Sequence, residues 1–253
     1  MKRRLRALTA MMFREMTTRY GRSAMGYLWA ILEPVLFIAM FSILFSSLAS
    51  KPALGSSFPL FFATGVIPFL FYREVSEVTS GAFAFNRPLF MYPSISVLDA
   101  ILSRFILQVL TMTFVTVIVF TGVCLIEDVR PVLEFGPILI AVGLASLLGL
   151  GIGTLNCTLF VFFPTWQRVF NVFNRPLFIV SAIFFTPEMF VAEYRDILLW
   201  NPLVHIVGGF RSGFFPAYNA DYVSVPFVLG PALVLLLCGL LLLRRHEGRL
   251  LEQ

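Results

Sequence analysis

The sequence has few charged residues, few histidines and few cysteines. Only 13% of its 253 residues are charged and 58% are hydrophobic, whereas charged residues make up about 25% of a soluble domain. The three cysteines lie apart in apolar stretches without a C-x-x-C motif, so a zinc or redox site is not expected. The two histidines are distant from each other and from any carboxylate–histidine pattern. The composition predicts an integral membrane protein without a metal site.

The sequence motifs of nucleotide hydrolysis and of hydrolases are also missing. A P-loop requires Gly-Lys-Ser/Thr to hold phosphates, but neither of the only two lysines, Lys2 and Lys51, follows a glycine. Neither H-E-x-x-H nor G-x-S-x-G occurs. We therefore expect no catalytic residue and no ATP-binding site in this chain. If it moves a substrate with ATP, a separate subunit must hydrolyse the nucleotide.

Long uninterrupted apolar stretches make up most of the chain. A membrane-spanning helix needs about 20 apolar residues, whereas an outer-membrane barrel consists of alternating strands of about ten residues. The long stretches predict an all-α membrane domain over 1–253 with six spans. These spans are residues 24–49, 58–85, 100–126, 135–162, 169–186 and 222–243. The fifth begins with Asn171, Asn174 and Arg175, which predicts that it borders a water-accessible space.

Three segments outside the spans have patterns of their own. Residues 1–22 repeat apolar side chains at every third or fourth position, with basic residues between them, as in an amphipathic helix at the cytoplasmic membrane surface. Residues 86–99 hold two prolines and predict a turn-rich connector. The apolar pieces within 187–221 are too short to cross a membrane. They predict short or re-entrant helices on the periplasmic side.

The distribution of lysine and arginine predicts the orientation of the chain. With a cytoplasmic N-terminus, the six spans place 15 of the 19 Lys and Arg residues on the cytoplasmic side and leave Lys51, Arg130, Arg195 and Arg211 outside. Cytoplasmic loops of membrane proteins are enriched in these residues. Both termini are therefore expected to be cytoplasmic.

The ionisable residues within the first three predicted spans lie in the cytoplasmic half; they are Glu33, Arg73, Glu74, Glu77 and Arg104. Because a charged side chain in lipid is costly, we expect them to face protein or water. A proton-driven carrier more often has such a group near the middle of the membrane. The pattern therefore argues against secondary transport.

Glycines in two of the predicted spans carry structural information. Gly143, Gly149, Gly151 and Gly153 share one apolar stretch, where small residues let helix backbones approach closely. They do not form a dinucleotide-binding fingerprint, because no strand precedes them. In the second span, the sequence G-V-I-P at 65–68 predicts a break in the helix.

Four segments, taken in order, resemble a known family. T-R-Y-G is followed by G-Y-L-W-A-I-L-E-P, and the second span contains G-V-I-P-F-L-F. The third segment is L-F-M-Y-P-S-I-S-V-L-D-A-I-L-S-R, and the fourth is L-L-W-N-P-L-V-H-I-V, with Arg211 and Pro216 after it. They resemble ABC-2 type permeases that export polysaccharide, and above all the inner-membrane permeases of group 2 capsule exporters.

The resemblance implies a multi-pass permease of the bacterial inner membrane that moves lipid-anchored capsular polysaccharide from the cytoplasm to the periplasm. The chain would form a homodimer above two separate ATPase subunits, which bind ATP and magnesium. The helix over 1–22 and the connector over 86–99 would contact the ATPase, with Arg87, Tyr92 and Asp99 as coupling residues. Further expected partners are membrane phospholipid, a periplasmic co-polymerase-like protein and an outer-membrane export protein; no nucleic acid is expected.

The candidate residues of the translocation path follow from the chemistry of such a substrate. Sugars stack their C–H faces on aromatic rings, and weak repeated contacts suit a sliding polymer. The aromatic candidates are Tyr27, Trp29, Phe69, Tyr72, Trp166 and Phe185, and the polar ones in or near the path are Glu33, Arg73, Glu74 and Glu77. Alternatively, the aromatic residues belong to a membrane-interface belt or to the lipid-facing surface.

Basic and periplasmic residues complete the predicted site. Arg14, Arg19 and Arg22 are placed at the cytoplasmic entrance, where they meet the headgroup of the substrate. Alternatively, they hold the N-terminal helix on anionic lipids. Trp200, Asn201 and Arg211 are assigned to a periplasmic gate or, alternatively, to turns and helix caps.

Other functions stay open on the sequence alone. Within the exporter class, the cargo is alternatively O-antigen or teichoic acid, followed by a drug or a lipid. A membrane-embedded transferase acting on lipid-linked sugars would need converging carboxylates, for which Glu74, Glu77 and Asp99 are available. A scaffold without transport activity would leave the polar start of the fifth span unexplained.

Overall fold

The structure, a computed structural model, describes residues 2–20, 25–91 and 95–251, and these parts of the chain are mostly helical and contain no strand. The α-helices are α1 (Lys2–Glu15), α2 (Met25–Leu48), α3 (Phe58–Ser80), α4 (Ala82–Asn86), α5 (Val97–Ile126), α6 (Phe135–Phe162), α7 (Pro164–Val180), α8 (Ala192–Leu199), α9 (Pro202–Ser212) and α10 (Val225–Leu251). A π-helical turn (Met16–Tyr20) follows α1, and 3₁₀ helices cover Arg87–Met91 and Pro187–Met189.

Five helices, α2, α3, α5, α6 and α10, are long and apolar enough to cross a membrane. The described residues thus confirm the predicted all-α class and contain five candidate spans where the sequence predicted six. The predicted span over 169–186 corresponds to α7, which has only 17 residues and carries polar side chains along its first three turns. It ends at Val180, where a turn follows that contains Ala182 with a positive φ of 58°. A sixth span therefore stays a prediction.

The second span, α3, is buried over most of its length. It packs against α2, α5, α6 and α9. The predicted break at Gly65–Pro68 is wrong, because α3 continues unbroken to Ser80 and the first interruption is at Gly81. Gly65 instead permits close packing: a Cβ atom there would lie 3.1 Å from the backbone of Ile183 and 3.0 Å from Nη2 of Arg211.

Glycines on opposite faces of α6 bring two neighbouring helices close to it. A Cβ atom at Gly149 would lie 2.8 Å from the carbonyl oxygen of Tyr72, and one at Gly153 would overlap Oγ1 of Thr79, both on α3. On the other face, a Cβ atom at Gly151 would lie 2.6 Å from the carbonyl oxygen of Ala232 on α10. The i, i+4 spacing of Gly149 and Gly153 explains why both face α3.

Phenylalanine rings join α2, α3, α7 and the turn after α7. The rings of Phe41 and Phe184 meet edge to face at 4.7 Å, and Phe178 lies 5.2 Å from Phe69 and 5.4 Å from Phe184. Aromatic pairs at such distances contribute about 0.5–1.5 kcal/mol beyond the burial of their area. These contacts hold the C-terminal end of α7 in place, although no residue of α7 is itself fully buried.

Candidate functional site

A cavity of about 570 Å³, called the groove below, lies between α2, α3, α6 and α7. Its aromatic lining consists of Phe37, Phe69, Phe160, Phe170 and Phe178. Its polar lining consists of Arg73, Ser76, Glu77, Ser80, Gln167, Asn171, Asn174 and Arg175. The groove thus offers aromatic faces and hydrogen-bonding groups in one space.

Helical spacing explains why the polar residues meet in the groove. On α7, Gln167, Asn171 and Asn174 follow each other at i, i+4 and i+7, which places them on one face of the helix. On α3, Ser76 and Ser80 are four residues apart and lie on the face opposite. The remaining face of α7 is apolar and exposed, with Val172, Phe173 and Ile179. Therefore α7 is amphipathic, with its polar face in the groove.

An ion cluster connects α2 to α3 at the wall of the groove. Arg73 Nη2 donates a hydrogen bond to Glu33 Oε1 at 2.5 Å and another to Glu74 Oε1 at 2.9 Å. The side chains are partly exposed, so the cluster contributes less than a dry ion pair would. It satisfies the charge of Glu33, which the sequence placed inside a span, and it holds the first span beside the second.

Two hydrogen bonds fix α7 against its neighbours. The hydroxyl group of Tyr72 donates to Oδ1 of Asn174 at 3.1 Å, which joins α3 to α7. Nε1 of Trp166 donates to Oδ1 of Asn156 at 3.0 Å, which joins the start of α7 to α6. Since Asn174 accepts through Oδ1, its amide group keeps two N–H donors for other partners.

The structure brings some of the predicted path residues together and separates others. Phe69, Arg73 and Glu77 line the groove, and Glu33, Glu74 and Tyr72 bond to residues that line it. Trp29 is not among the residues that line it, and its side chain is 61% exposed on α2. Phe185 lies in the turn after α7, where its ring meets Phe190 at 4.8 Å. The side chain of Tyr27, which was also predicted in the path, lies outside the described part of the chain.

Sequence reasoning missed the amide groups of α7 and the ring of Phe37. The signal for the amides was present as the spacing of Gln167, Asn171 and Asn174. Asn171 and Asn174 predicted that the fifth span borders a water-accessible space, but none of the three amides is among the predicted site residues. Phe37 carried no signal of its own, because 29 phenylalanines share similar apolar surroundings in the sequence.

Below the groove, α1 packs on α5 through a cluster that we call the junction. Glu15 and Arg104 form a buried ion pair at 2.9 Å. Arg14 Nη1 donates to Oδ1 of Asn86 at 3.2 Å, and the guanidinium group of Arg104 lies 4.6 Å from the ring centre of Phe85. Arg14, predicted at the substrate entrance, therefore belongs to the contact between α1 and α4. Arg22, together with the side chain of Arg19, lies outside the described residues.

The connector begins with an exposed 3₁₀ helix and ends at a helix cap. Arg87 is exposed at the start of this 3₁₀ helix, and Met91 is exposed at its end. Asp99 accepts hydrogen bonds from the backbone N–H and the hydroxyl group of Ser96, which in turn caps α5. Asp99 thus fixes the start of α5. Tyr92 lies outside the described residues.

At the other end of the molecule, Arg211 is 1% exposed and contacts the turn after α7. Its guanidinium group donates to the carbonyl oxygens of Ala182 at 2.6 Å, Ile183 at 2.7 Å and Phe185 at 2.9 Å. It also lies 4.3 Å from the ring centre of Phe61. Burial lowers the pKa of Arg211 to about 10, so it stays protonated at neutral pH.

The other two predicted periplasmic residues have different surroundings. Oδ1 of Asn201 accepts from the backbone N–H of Leu203 at 3.0 Å and caps α9, while its Nδ2 donates to the carbonyl oxygen of Val180 at 3.2 Å. Trp200 is exposed at the end of α8. Exposed apolar residues at Val191, Tyr194 and Ile197 precede it with a spacing of three, which forms a stripe along α8.

The chain is similar over nearly its whole length to named transport proteins. It is 32% identical to the polysialic acid transport protein KpsM of Escherichia coli, over 96% of this chain and 94% of that protein. It is 26% identical to the capsule polysaccharide export inner-membrane protein BexB of Haemophilus influenzae, over 96% of this chain and 91% of that protein. It is 25% identical to the O-antigen export system permease protein RfbA of Klebsiella pneumoniae, over 94% and 91%.

The match to a family as a whole agrees with these pairwise similarities. The ABC-2 type transporter domain matches residues 6–215, a range that contains the junction, the groove and Arg211. This confirms the family that the four sequence segments predicted. The chain belongs to the family of ABC-2 type transporters.

Proposed function

We propose that this chain is the inner-membrane permease subunit of an ATP-driven exporter that moves lipid-anchored capsular polysaccharide from the cytoplasm to the periplasm. The observation that carries the proposal is the similarity, across 96% of the chain, to proteins named for polysialic acid transport and capsule polysaccharide export. The groove supports it, because its aromatic rings can stack on the C–H faces of a sugar, while its hydroxyl and amide groups can form hydrogen bonds with the sugar hydroxyl groups.

In this proposal both termini are cytoplasmic and α7 serves as a sixth span. The excess of Lys and Arg in the segments assigned to the cytoplasm supports this orientation. The groove residues of α3 and α7 then lie in the cytoplasmic half, where a substrate from the cytoplasm would enter. The short helices α8 and α9 lie at the periplasmic membrane surface, and the exposed stripe with Tyr194 and Trp200 suits the headgroup region.

A homodimer would complete the groove. No residue of α7 is buried, although its polar face already borders the groove and its aromatic residues pack on α3. A second copy placed against this side would enclose the groove between two chains, so that the path passes between the permeases. A periplasmic co-polymerase-like protein and an outer-membrane export protein would continue the route.

Two separate ATPase subunits would drive the movement and bind ATP and magnesium. We assign their contact surface to α1 and to the 3₁₀ helix over Arg87–Met91. The junction supports this assignment, because Glu15–Arg104 joins α1 to α5 and Arg14–Asn86 joins α1 to α4, the helix directly before this 3₁₀ helix. A push on either element would then reach α5. Asp99 acts indirectly, by fixing the start of α5 behind the connector.

Co-purification with an ABC-type ATPase subunit tests this function. We expect a stable complex whose ATP hydrolysis in lipid nanodiscs requires both proteins. Arg87→Glu reverses an exposed charge on the connector and is expected to lower retention of the ATPase severalfold. Arg130→Glu makes the same change in an exposed periplasmic-side loop and serves as the matched control. A permease that retains no ATPase under any condition would contradict the proposal.

Removal of the Glu33 carboxylate tests the ion cluster at the groove. Glu33→Ala deletes one of the two acceptors of Arg73 and the connection between α2 and α3. We expect export of polysaccharide to fall severalfold while the amount of protein in the membrane stays normal. Glu134→Ala removes an exposed carboxylate without a side-chain cap bond and is the control. Normal export by the Glu33→Ala variant would show that the cluster has no part in transport.

O-antigen is the second candidate cargo, because RfbA, named as an O-antigen export permease, also matches most of the chain. Comparison of the exported polymer in cells with and without this chain separates the two cargoes. The transferase alternative lacks support, because two of its three carboxylates are engaged in structure: Glu74 accepts from Arg73, and Asp99 accepts from Ser96. Modification of lipid-linked sugars by the purified chain alone would revive it.

A further inference from the structure

A second cavity, of about 210 Å³, lies between α6, α9 and the start of α10 and shares no lining residue with the groove. We call it the side cavity. Most of its wall is apolar, whereas the groove has a largely polar lining. The wall residues on which the argument below depends are Ile140, Ala141 and Leu144 of α6, His205 and Gly209 of α9, and Val225 of α10.

The side cavity exists because α6 and α10 touch midway along their lengths, whereas part of α9 lies between their first turns. A Cβ atom at Gly151 would lie 2.6 Å from the carbonyl oxygen of Ala232, and one at Gly239 would lie 2.7 Å from the backbone nitrogen of Leu155. At the start of both helices, residues of α9 and the cavity separate them. Gly209 has no side chain to fill this space.

The mouth of the side cavity opens on a lipid-facing surface. Both α6 and α10 are long and apolar enough to cross a membrane. Ile140 and Val225 are exposed at the edge of the cavity, whereas Ala141 and Leu144 are buried in its wall. Exposed apolar side chains on membrane-spanning helices face acyl chains, so an acyl chain is the nearest molecule that can enter.

The two polar side chains of the described wall have no hydrogen left to donate into the side cavity. Nδ1 of His205 accepts from the backbone N–H of Ser224 at 3.2 Å. The ring hydrogen is therefore on Nε2, which donates to the carbonyl oxygen of Leu199 at 2.8 Å. The hydroxyl group of Ser212 donates to the carbonyl oxygen of Gly209 at 2.9 Å. A buried water needs two to four polar partners, and apolar cavities stay dry and bind apolar ligands.

From these observations we propose that the side cavity binds part of an acyl chain of a membrane phospholipid. The chain would enter between Ile140 and Val225 and pack on Leu144, with Gly209 leaving room for it. Transfer of its methylene groups from the bilayer costs little, because both surroundings are apolar. Since α9 also carries Arg211, the lipid would pack behind the helix that holds the turn after α7. Such a site requires only that the chain lies in a membrane and does not depend on the cargo.

Photolabelling from the acyl chain tests the site in the unchanged protein. The permease is placed in nanodiscs of phosphatidylethanolamine and phosphatidylglycerol, with a diazirine in the acyl chain of a small fraction of the phosphatidylethanolamine. We expect Leu144, which is 7% exposed, to be labelled severalfold more than Leu107, a leucine of α5 that is 8% exposed and does not line the cavity. Equal labelling of the two leucines would overturn the proposal, because bulk lipid alone would explain it.

Substitution of Gly209 tests whether labelling depends on the side cavity. Gly209→Leu fills it from α9, because a Cβ atom there would lie 3.5 Å from Val223 and 4.0 Å from Ala141. Gly143→Leu adds the same group to α6 at a position with no described atom within 4 Å and is the matched control. We expect labelling of Leu144 to fall severalfold in the first variant and to stay unchanged in the second.

Unchanged labelling of Leu144 in folded Gly209→Leu protein would overturn the proposal. If that variant does not fold, Gly209→Ala replaces it, because its Cβ atom makes only ordinary contacts. We then expect a smaller fall in labelling, and the absence of any fall would again overturn the proposal.

A water-filled cavity is the competing outcome, and thiol labelling detects it. With Cys124 and Cys238 replaced by alanine, Leu144→Cys places a thiol on the inner wall, and Ser56→Cys places one in an exposed loop. We expect a membrane-impermeant maleimide to react severalfold faster at position 56 than at position 144. Equal rates would show that water fills the side cavity and would overturn the proposal.

Discussion

Gly153→Ala is expected to destabilise the protein by about 3 kcal/mol, at the upper end of the cost of forcing one extra group into a packed interior. The added Cβ atom would overlap Oγ1 of Thr79 and lie 2.9 Å from the carbonyl oxygen of Ser76. Thr79 cannot turn away without loss, because its hydroxyl group donates to the carbonyl oxygen of Val75. Relief would therefore require α3 and α6 to move apart.

The effect of this separation would extend beyond the two helices. Ser76 lines the groove from α3, and Phe160 lines it from α6, two turns after Gly153. We therefore expect the variant to lose both thermal stability and export. The midpoint of thermal unfolding in detergent and the yield of monodisperse protein measure the first effect.

Gly143→Ala makes the same substitution ten residues earlier in the same helix. No atom lies within 4 Å of the Cβ position at Gly143, and alanine is the better helix former by about 1 kcal/mol. We expect this variant to be as stable as the parent protein or slightly more so. Equal unfolding midpoints for the two variants would show that contact between α3 and α6 is looser than the geometry indicates.

The glycines also show which features of helix packing can be predicted from the sequence. Their presence in an apolar run predicted close helix packing, and α6 has it. The pattern could not identify the partners, because those depend on which helices surround α6. The same limit produced the wrong prediction at Gly65–Pro68. The local pattern of a glycine before a proline predicts a break in the helix. In the structure, the absence of a side chain at Gly65 instead makes room for Ile183 and Arg211, which come from distant parts of the chain.

The groove was predictable only in part for the same reason. Glu33 and Arg73 stood out because charges are costly inside spans, and both lie at the groove wall. Their bond to each other required the packing of α2 on α3, which no local pattern contains. Phe69 lines the groove but Trp29 does not, since the orientation of an aromatic residue around a helix depends on tertiary contacts. The orientation of α7 was indicated by its polar spacing, because amphipathic helices turn that face toward water.

Arg211→Met is expected to destabilise the end of the protein that contains α9 by about 3 kcal/mol or more, because a buried polar group without a partner costs about 1–3 kcal/mol. The substitution keeps much of the side-chain volume but removes the donors to Ala182, Ile183 and Phe185. Three carbonyl oxygens would then lack these bonds within a buried turn. The turn also contains the positive φ of Ala182, a conformation that a non-glycine residue adopts only when its surroundings hold it there.

Arg211→Lys tests whether the positive charge at this position is sufficient or whether the shape of the guanidinium group is required. A lysine keeps the positive charge, but its single ammonium group cannot reproduce the planar fork that reaches three carbonyl oxygens. We expect stability between those of Arg211→Met and the parent protein, measured as the midpoint of thermal unfolding. Arg130→Met, an exposed arginine in another loop, is the control for loss of charge and should unfold as the parent does.

A comparison of stability with export decides whether Arg211 acts as a clamp or as a moving gate. As a clamp, it fixes the end of α7 and with it the amide face in the groove, so stability and export should fall together across the Met and Lys variants. As a gate, it would release its carbonyl oxygens during each cycle, and its loss would alter export while the unfolding midpoint stayed unchanged. The three short bonds and the burial of the side chain favour the clamp, because their release would leave a charged group and three carbonyl oxygens without partners in the interior.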